Sequence, residues 1–379
     1  MDLEFEQKAL KTTARDFLEK ECPKTLLRAL SKDKVALPAA LYARMAELGW
    51  FGLIVPAEYG GTEGTFFDMV ILLEEMGRAC LPGPFFSSAV IGVLTLLWSG
   101  SEEQRREYLP RLAEGKTYVT LALTEPSAAY QASAIELTAA TGPDGYLLNG
   151  TKLFVPQANL VDHIIVAART GEAPDPRENV SLFLVDVDSA GLRINQLETV
   201  THDGQCAVVF DDVHVPRTGL MGQANDAWPI VERLLSYAAV GLCARMVGGA
   251  QKALEMTVDY AKSREQFGHS IGSFQAIQQL CANMLIDVDA AKYVTYKAAW
   301  ALSEGETGCE TLASVAKAWT TDAYLRVTQM AHRVHGAIAF SEDYDLQFYI
   351  KEAVSAAPSF GDADFHREKV AEMIYPIPL

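Results

Sequence analysis

The chain has 379 residues, of which 49% are hydrophobic and 21% charged, and its formal net charge at pH 7 is −17. This composition is typical of a globular protein with about two or three domains. The negative charge argues against binding to nucleic acid, whose phosphates it would repel, and it means that an anionic small ligand needs a local group of cations.

No pattern in the sequence predicts a membrane span, a secretory signal or a metal site. The longest apolar run, SSAVIGVLTLLW, is too short to span a bilayer, and the N-terminal segment is amphipathic and acidic. The cysteines lie far apart and predict reduced, mostly buried thiols, and the histidines lack metal-ligand spacing. We therefore expect a cytoplasmic protein without a bound metal.

The first part of the chain, residues 1–118, has the apolar spacing of helices. LPAALYARMAELGWFGLIVP, FFDMVILLEEMGRACL and SEEQRREYLPRLAEG each carry this pattern. In the last of them, Ser101 is expected to cap the N-terminus of the helix and Gly115 to end it. We predict an N-terminal helical domain.

Residues 119–224 have the texture of short strands instead. Runs such as TYVTLALTEP and VSLFLVDVD alternate or are continuously apolar, and the Pro-Asp-Gly and Asn-Gly sequences between them are expected to form turns. This segment predicts a compact middle β domain.

Residues 225–379 return to the helical period. Three long helices are predicted, over WPIVERLL through REQFG, over SFQAIQQL through ALSEG, and over CETLASVA through HRVHG. Long helices of this kind form a bundle. The predicted order is therefore helices, a β domain and helices again.

Four motifs in this order resemble the acyl-CoA dehydrogenase family over essentially the whole chain. They are LGWFGLIVPAEYGG, then ALTEPSAAYQASAIELTA followed by LNGTKLFVPQA, then YAKSREQFGHSIGSFQAIQ, and finally RVHGAIAF. The resemblance implies a mostly α fold with a central β domain: an N-terminal helical domain, a β-barrel-like middle domain and a C-terminal four-helix bundle. It also implies bound FAD, an acyl-CoA substrate and a homo- or hetero-tetramer.

Arg264, in REQFG, resembles the family arginine that reaches the FAD pyrophosphate of a neighbouring subunit. Its planar, permanently charged fork suits a diphosphate better than a lysine does. The resemblance places Phe267 on the adjoining turn and Gln275 at the start of the next helix, where both contact the adenosine and ribose end of the cofactor. From the residues alone, a surface arginine and a core phenylalanine are the alternative.

Two residues of the β domain resemble neighbours of the flavin ring. Thr124, in LTEP, corresponds to a residue that hydrogen-bonds the ring, and Phe154 stands where the family usually has a tryptophan over it. From the residues alone, Phe154 fits the core of the β domain equally well.

Two binding motifs depart from the family pattern. After TEP, a Gly-Ser-Asp spacing is replaced by Ala129, Tyr130 and Gln131. In RVHGAIAF, the resemblance assigns cofactor contacts to the positions of Arg333, Gly336 and Ala337, where the family has a glutamine and several glycines. Glycines at such sites accept positive φ and let backbone amides approach a phosphate, so we interpret the site as modified.

The catalytic base is the sharpest departure. The family reaction removes an α-proton from an acyl thioester and needs a nearby carboxylate, yet the two positions where relatives carry it hold Phe360 and Ala238. The nearest candidate is Asp362, for which capping of the following helix is the alternative role. Asp364 and His366 are expected to be surface residues of that helix's first turn.

The resemblance implies α,β-desaturation of an acyl-CoA to a 2-enoyl-CoA. A subset of the family with FGD and HR in the last helix often pairs two different chains, some of them for steroid side-chain thioesters. We therefore expect one chain of a heteromeric pair, and a paralogous chain is the candidate partner. Two alternatives stay open: a flavin-poor partner subunit without activity of its own, and a flavoenzyme of the same fold with monooxygenase or desulfinase-like chemistry. The acyl group is not predicted.

Overall fold

The computed structural model describes residues 3–32, 37–201 and 203–375. Its α-helices are α1 (Phe5–Glu21), α2 (Lys24–Lys32), α3 (Ala39–Glu47), α4 (Phe66–Ala79), α5 (Val93–Ser99), α6 (Glu102–Ala113), α7 (Trp228–Ser263), α8 (Gln275–Glu304), α9 (Cys309–His335), α10 (Leu346–Ala356) and α11 (Ala363–Ile374). Its strands are β1 (Val119–Ala122), β2 (Thr138–Thr141), β3 (Gly145–Pro156), β4 (His163–Arg169), β5 (Val180–Asp186), β6 (Leu192–Gln196), β7 (Gln205–Pro216), β8 (Leu220–Met221), β9 (Glu265–Gln266) and β10 (His269–Ser270). The predicted order of helices, strands and helices is confirmed.

Contacts group the chain into two compact units. The helical unit comprises Met1–Leu27, Phe66–Leu81 and Ala239–Leu379, and the mixed unit comprises Arg28–Thr65 and Pro82–Ala238. The first helical segment of the sequence therefore contributes to both units. The boundaries 118/119 and 224/225 stay a prediction.

The mixed unit is built on one eight-stranded sheet. Its order is β6-β7-β3-β2-β4-β5-β8, and β1 pairs in parallel with β4. Side chains from β3, β4, β5 and β7 form its core, including Ile164, Phe183 and Val208, which are fully buried. Ser101 caps α6 through a capping box with Gln104, as predicted.

The two predicted turn sequences behave differently. Gly142 and Gly145 bracket Pro-Asp between β2 and β3, as expected for a turn, and the Gly142 amide donates to the Gly145 carbonyl at 2.8 Å. Asn149-Gly150, however, lies inside β3 at a shift in its pairing with β7. The prediction of a turn there was wrong because the partner strand absorbs the extra residue as a bulge.

In the helical unit, α9 packs against α8, α10 and α11. The predicted long helices over α8 and α9 are confirmed, but α7 ends at Ser263 and REQFG is not helical. Glu265 pairs with Ser270 and Gln266 with His269 in a small antiparallel hairpin instead.

All six cysteines are free thiols, and five of them are buried, as the sequence predicted. Within residues 3–32, 37–201 and 203–375, no helix is both long and apolar enough to cross a bilayer. The same residues contain no cluster of three or more His, Cys, Asp or Glu side chains suited to a metal ion.

Candidate functional site

The loop that follows β1 is fixed by a buried ion pair. Thr124 is half-buried there, and the carboxylate of its neighbour Glu125 accepts hydrogen bonds from the amides of Glu136 and Leu137. The Lys152 ammonium lies 2.6 Å from the same carboxylate. Burial lowers the pKa of Lys152 to about 8, and the Glu125 charge opposes that shift. The backbone around Thr124 is therefore held in place from β3.

Phe154 is not a core residue of the β domain. Its side chain is 52% exposed, and its φ of 53° places it in the left-handed region, at an irregularity in the pairing of β3 with β7. The bulge turns Phe154 outward while its neighbour Val155 stays buried. The core alternative for Phe154 is thus wrong, and its role at the flavin remains a prediction.

The α7–α8 connection carries three of the predicted cofactor residues. Arg264 is exposed at the base of the hairpin, where its carbonyl accepts from the Ile271 amide at 2.8 Å. Phe267 and Gly268 form the tip, with φ of 57° and 86°, which is the backbone of a tight two-residue turn. Phe267 is 89% exposed, and Gln275 is the exposed first residue of α8. The structure thus brings all three side chains to one short, exposed segment.

The end of α9 lies beside the end of α7. The imidazole of His335 stacks on the ring of Tyr260, with centroids 4.4 Å apart, and the Tyr260 carbonyl accepts from the Arg264 amide. The Nδ1 atom of His335 also lies 2.8 Å from the carbonyl of Ala331 in its own helix. This stack places the REQFG and RVHG motifs at the same end of the helical unit.

Arg333, Gly336 and Ala337 are all exposed at that end. Gly336 ends α9 with φ 67° and ψ −140°, a backbone conformation that is nearly restricted to glycine, although nothing lies within 4 Å of where a Cβ would be. Among the described residues, Arg333 forms no ion pair or side-chain hydrogen bond. The altered motif therefore keeps its conformationally required glycine and adds an unpaired cation.

Asp362 is the N-cap of α11. Its exposed carboxylate accepts from the Phe365 amide at 2.8 Å, so the alternative role suggested by the sequence is confirmed. Asp364 is exposed in the first turn, as expected, and pairs with Arg367 at 2.5 Å. Neither carboxylate is buried.

His366 is not a surface residue, so the sequence prediction was wrong. It is buried, its Nε2 lies 2.9 Å from the Phe360 carbonyl, and its Nδ1 lies 3.2 Å from the Ser314 hydroxyl. Because a carbonyl can only accept, Nε2 carries the proton and Nδ1 accepts from the hydroxyl. Burial lowers the pKa of His366 to about 4, so the ring is neutral near pH 7.

A second buried group reaches the same segment from α9. The Lys317 ammonium is fully buried and donates to the carbonyls of Gly361 at 2.9 Å, Ala357 at 3.0 Å and Ala356 at 3.4 Å, and to the Thr321 hydroxyl at 3.1 Å. Sequence analysis missed Lys317, because a lysine in a helical pattern normally indicates a solvated face. We call the segment Ala356–Gly361 the 360 platform.

Neither expected base position offers a proton acceptor. Phe360 lies on the 360 platform in the helical unit, and Ala238 is a buried residue of α7 in the mixed unit. Both positions at which the sequence predicts the catalytic carboxylate therefore hold hydrocarbon side chains.

Comparison with known proteins identifies the family. The family models for the acyl-CoA dehydrogenase N-terminal, middle and C-terminal domains match residues 4–116, 120–213 and 225–375. A relative in Acetobacterium woodii named caffeyl-CoA reductase-Etf complex subunit CarC is 32% identical over 90% of this chain and 91% of its own. The probable acyl-CoA dehydrogenase YngJ of Bacillus subtilis is 30% identical over 98% and 99% of the two chains.

The solved structure of butyryl-CoA dehydrogenase from Megasphaera elsdenii has the same fold. It superimposes with a TM-score of 0.92 at 25% identity and covers 99% of both chains. With three consecutive domain matches along its length, the chain belongs to the acyl-CoA dehydrogenase family, whose members are FAD-dependent oxidoreductases that act on CH–CH bonds.

Proposed function

We propose that this chain is the FAD-binding subunit of an acyl-CoA dehydrogenase that oxidises an acyl-CoA thioester to its 2-enoyl-CoA together with a second chain, which supplies the catalytic carboxylate. One observation carries the proposal. The REQFG motif keeps Arg264 and Phe267, while Phe360 and Ala238 occupy the two positions at which the base is expected.

The residues of the chain fit FAD. Arg264 is exposed and, within the described residues, its guanidinium has no ion-pair partner, so its fork is free to bind a diphosphate. Phe267 and Gln275 flank it for the adenosine end, and Arg333 and the backbone at Gly336 add a cation and amide groups. Thr124 and Phe154 are the proposed neighbours of the flavin ring. Bound FAD supplies the acceptor for the hydride that leaves the β-carbon.

Removal of the α-proton requires a general base, which FAD does not supply. A thioester α-proton is weakly acidic and calls for a positioned carboxylate. Phe360 and Ala238 cannot accept a proton, and the Asp362 carboxylate is engaged with the Phe365 amide as a helix cap. A carboxylate supplied by a paralogous chain would accept this proton, and it would explain why both base positions of this chain lack an acid.

Exposed apolar side chains on the last helices support an assembly of several chains. They lie on α8, α9 and α11 and include Leu285, Ile286, Tyr293, Trp319, Met373 and Ile374. Large exposed apolar patches are typical of interaction surfaces, and these side chains are candidates for such a patch. We propose a tetramer that contains a second, similar chain. Since free thiols fit a reducing compartment, the proposed location is the cytoplasm.

The test is the visible absorbance spectrum of the purified chain, alone and with a co-purified paralogous chain. We expect flavin bands in both samples, and anaerobic bleaching by acyl-CoA only with the partner. Bleaching of the isolated chain at the same rate would overturn the need for a partner. A colourless chain that completes its partner's activity would favour the flavin-poor subunit. Yellow protein that no thioester bleaches in either sample, but that forms a long-lived oxygen adduct after reduction, would favour monooxygenase-type chemistry.

A further inference from the structure

We infer that Lys317 and His366 are positioning residues that hold the 360 platform in the geometry required for a catalytic carboxylate, so that Phe360→Glu would give this chain a base of its own. The inference rests on the proposed function, because it takes position 360 as the acyl side of the site. Phe360, Lys317 and His366 all lie in the helical unit.

The backbone at position 360 adopts a conformation that needs support. Phe360 has φ 58° and Gly361 has φ 94°, both in the left-handed region. For a residue other than glycine, this region costs about 1–2 kcal/mol. At Gly361 a Cβ would lie 2.3 Å from the Phe365 ring, so the close contact with α11 also requires glycine. The hydrogen bond from His366 to the Phe360 carbonyl opposes relaxation of this strained pair.

Lys317 holds the 360 platform through hydrogen bonds to its backbone carbonyls. Its three carbonyl partners, at Ala356, Ala357 and Gly361, come from the end of α10 and the turn that follows. Carbonyls at a helix C-terminus lack partners within the helix, and a cation there is favoured by the helix dipole. The ammonium therefore binds both ends of the platform to α9.

The electrostatics around position 360 favour an anion. Among the described residues no carboxylate forms an ion pair with the buried Lys317, and the titratable groups that act on it are Cys243 and the exposed Asp362. Helix α11 begins at Ala363, so its N-terminus also faces this turn. A buried cation and a helix N-terminus both stabilise negative charge. The Asp362 carboxylate already caps this helix, and Phe360 adds no further charge.

In the expected reaction of Phe360→Glu, the α C–H bond of the thioester breaks and its proton goes to the introduced carboxylate. The C–H electron pair would form the new C=C bond, and bound oxidised FAD would supply the acceptor for the β-hydrogen and its electron pair. Nothing else is consumed. General-base catalysis of this kind typically contributes about 10²–10⁴-fold, so we expect Phe360→Glu to bleach at least about 100-fold faster than the isosteric control Phe360→Gln.

The role of His366 is tested by combining each of these variants with His366→Gln, which keeps a donor near the Nε2 position, and with His366→Leu, which removes it. The first readout is hydrogen exchange of the amides in residues 356–366, which requires neither cofactor nor substrate. We expect His366→Leu to accelerate exchange about tenfold or more, and His366→Gln to leave it nearly unchanged. Thr257→Ala, which removes a buried hydroxyl on α7, serves as the control for general destabilisation.

The second readout is anaerobic flavin bleaching by acyl-CoA in the holoprotein. The increase in bleaching rate that Phe360→Glu gives over Phe360→Gln should persist with His366→Gln and fall about tenfold or more with His366→Leu. The reason is that misplacing a base by about 1 Å lowers the rate by up to about 10²-fold. If His366→Leu does not fold, Ser314→Ala removes the Nδ1 partner more mildly and should lower the gain in the same direction.

Two results would overturn the inference. One is unchanged exchange in His366→Leu. The other is no gain of Phe360→Glu over Phe360→Gln in protein that still binds FAD and shows a spectral change with acyl-CoA. If the proposed function is wrong, neither the original chain nor any variant binds FAD or responds to a thioester. The exchange experiment still decides in that case whether His366 holds the 360 platform.

Discussion

The carboxylate of Glu125 and the ammonium of Lys152 lie 2.6 Å apart, and their side chains are 4% and 0% exposed. The pair joins the loop after β1 to the middle of β3, and Lys152 also donates to the Leu123 carbonyl at 3.1 Å. The residue before Glu125 is Thr124, the proposed flavin contact. The ion pair therefore holds the backbone next to this predicted flavin contact in place.

Lys152→Met should destabilise the protein severely, because it leaves the Glu125 carboxylate buried with only amide donors. Breaking a buried pair from one side typically costs about 3–5 kcal/mol. Urea unfolding followed by circular dichroism measures the change in the free energy of unfolding. The double variant Lys152→Met/Glu125→Gln removes both charges and should recover a large part of the loss. A loss below about 1 kcal/mol in the single variant would contradict the structural role of the pair.

Two substitutions of Asp362 distinguish its role as a helix cap from a role as the catalytic base. Asparagine caps helices about as well as aspartate, whereas alanine loses about 1 kcal/mol. We therefore expect Asp362→Asn to keep both the unfolding free energy and the partner-dependent oxidation of acyl-CoA, and Asp362→Ala to lose stability. If Asp362→Asn abolishes oxidation at unchanged stability, Asp362 is the base, and the proposed partner carboxylate is wrong.

Lowering the pH should reduce the free energy of unfolding of the protein because His366 becomes protonated on unfolding. Burial lowers the pKa of its imidazole from 6.5 to about 4, so between those values the unfolded chain binds a proton that the folded chain does not. Stability from this group is complete above pH 6.5 and is lost as the pH falls towards 4, at about 1.4 kcal/mol per pH unit.

The control is His366→Gln, which does not titrate. From pH 7 to pH 5, the stability advantage of the original chain over this variant should shrink by about 2 kcal/mol in urea unfolding. A constant difference across this range would mean that His366 takes up its proton as readily in the folded protein as in the unfolded chain.

Arg264 is expected to contribute to FAD affinity through its shape as well as its charge. Arg264→Lys keeps the charge but loses the planar fork, so we expect about tenfold weaker FAD binding, with a larger loss in Arg264→Gln. Lys262→Gln removes an exposed cation two residues earlier and should change affinity little. Fluorescence titration of the apoprotein with FAD gives the three dissociation constants. Equal losses of FAD affinity in Lys262→Gln and Arg264→Gln would show that Arg264 contributes only a non-specific positive charge.

Local patterns predicted much of the fold. Apolar periodicity located the long helices, and cap chemistry identified Ser101 and Asp362, because both signals depend on residues within one or two turns. Asn149-Gly150 was misassigned as a turn because the register of β3 against β7, a long-range property, determines the backbone there.

The buried polar contacts within each unit could not be predicted in this way. Glu125 and Lys152 are 27 residues apart, and the carbonyls of the 360 platform lie 39 to 44 residues from Lys317. His366 sits in a helix that buries only a small, mixed face, so its periodicity gives little indication of which side chains are covered. Such partners are brought together by tertiary packing alone.

The hydrogen bonds of Lys317 also bear on how the chain folds during synthesis. When Lys317 is added to the growing chain, the carbonyls of Ala357 and Gly361 have not yet been made. Burying an ammonium without acceptors is costly. The face of α9 that carries Lys317 therefore has to stay hydrated until the 360 platform follows. Although the helical unit includes the first segment of the chain, it cannot be completed until the segment that begins at Ala239 has also been synthesised.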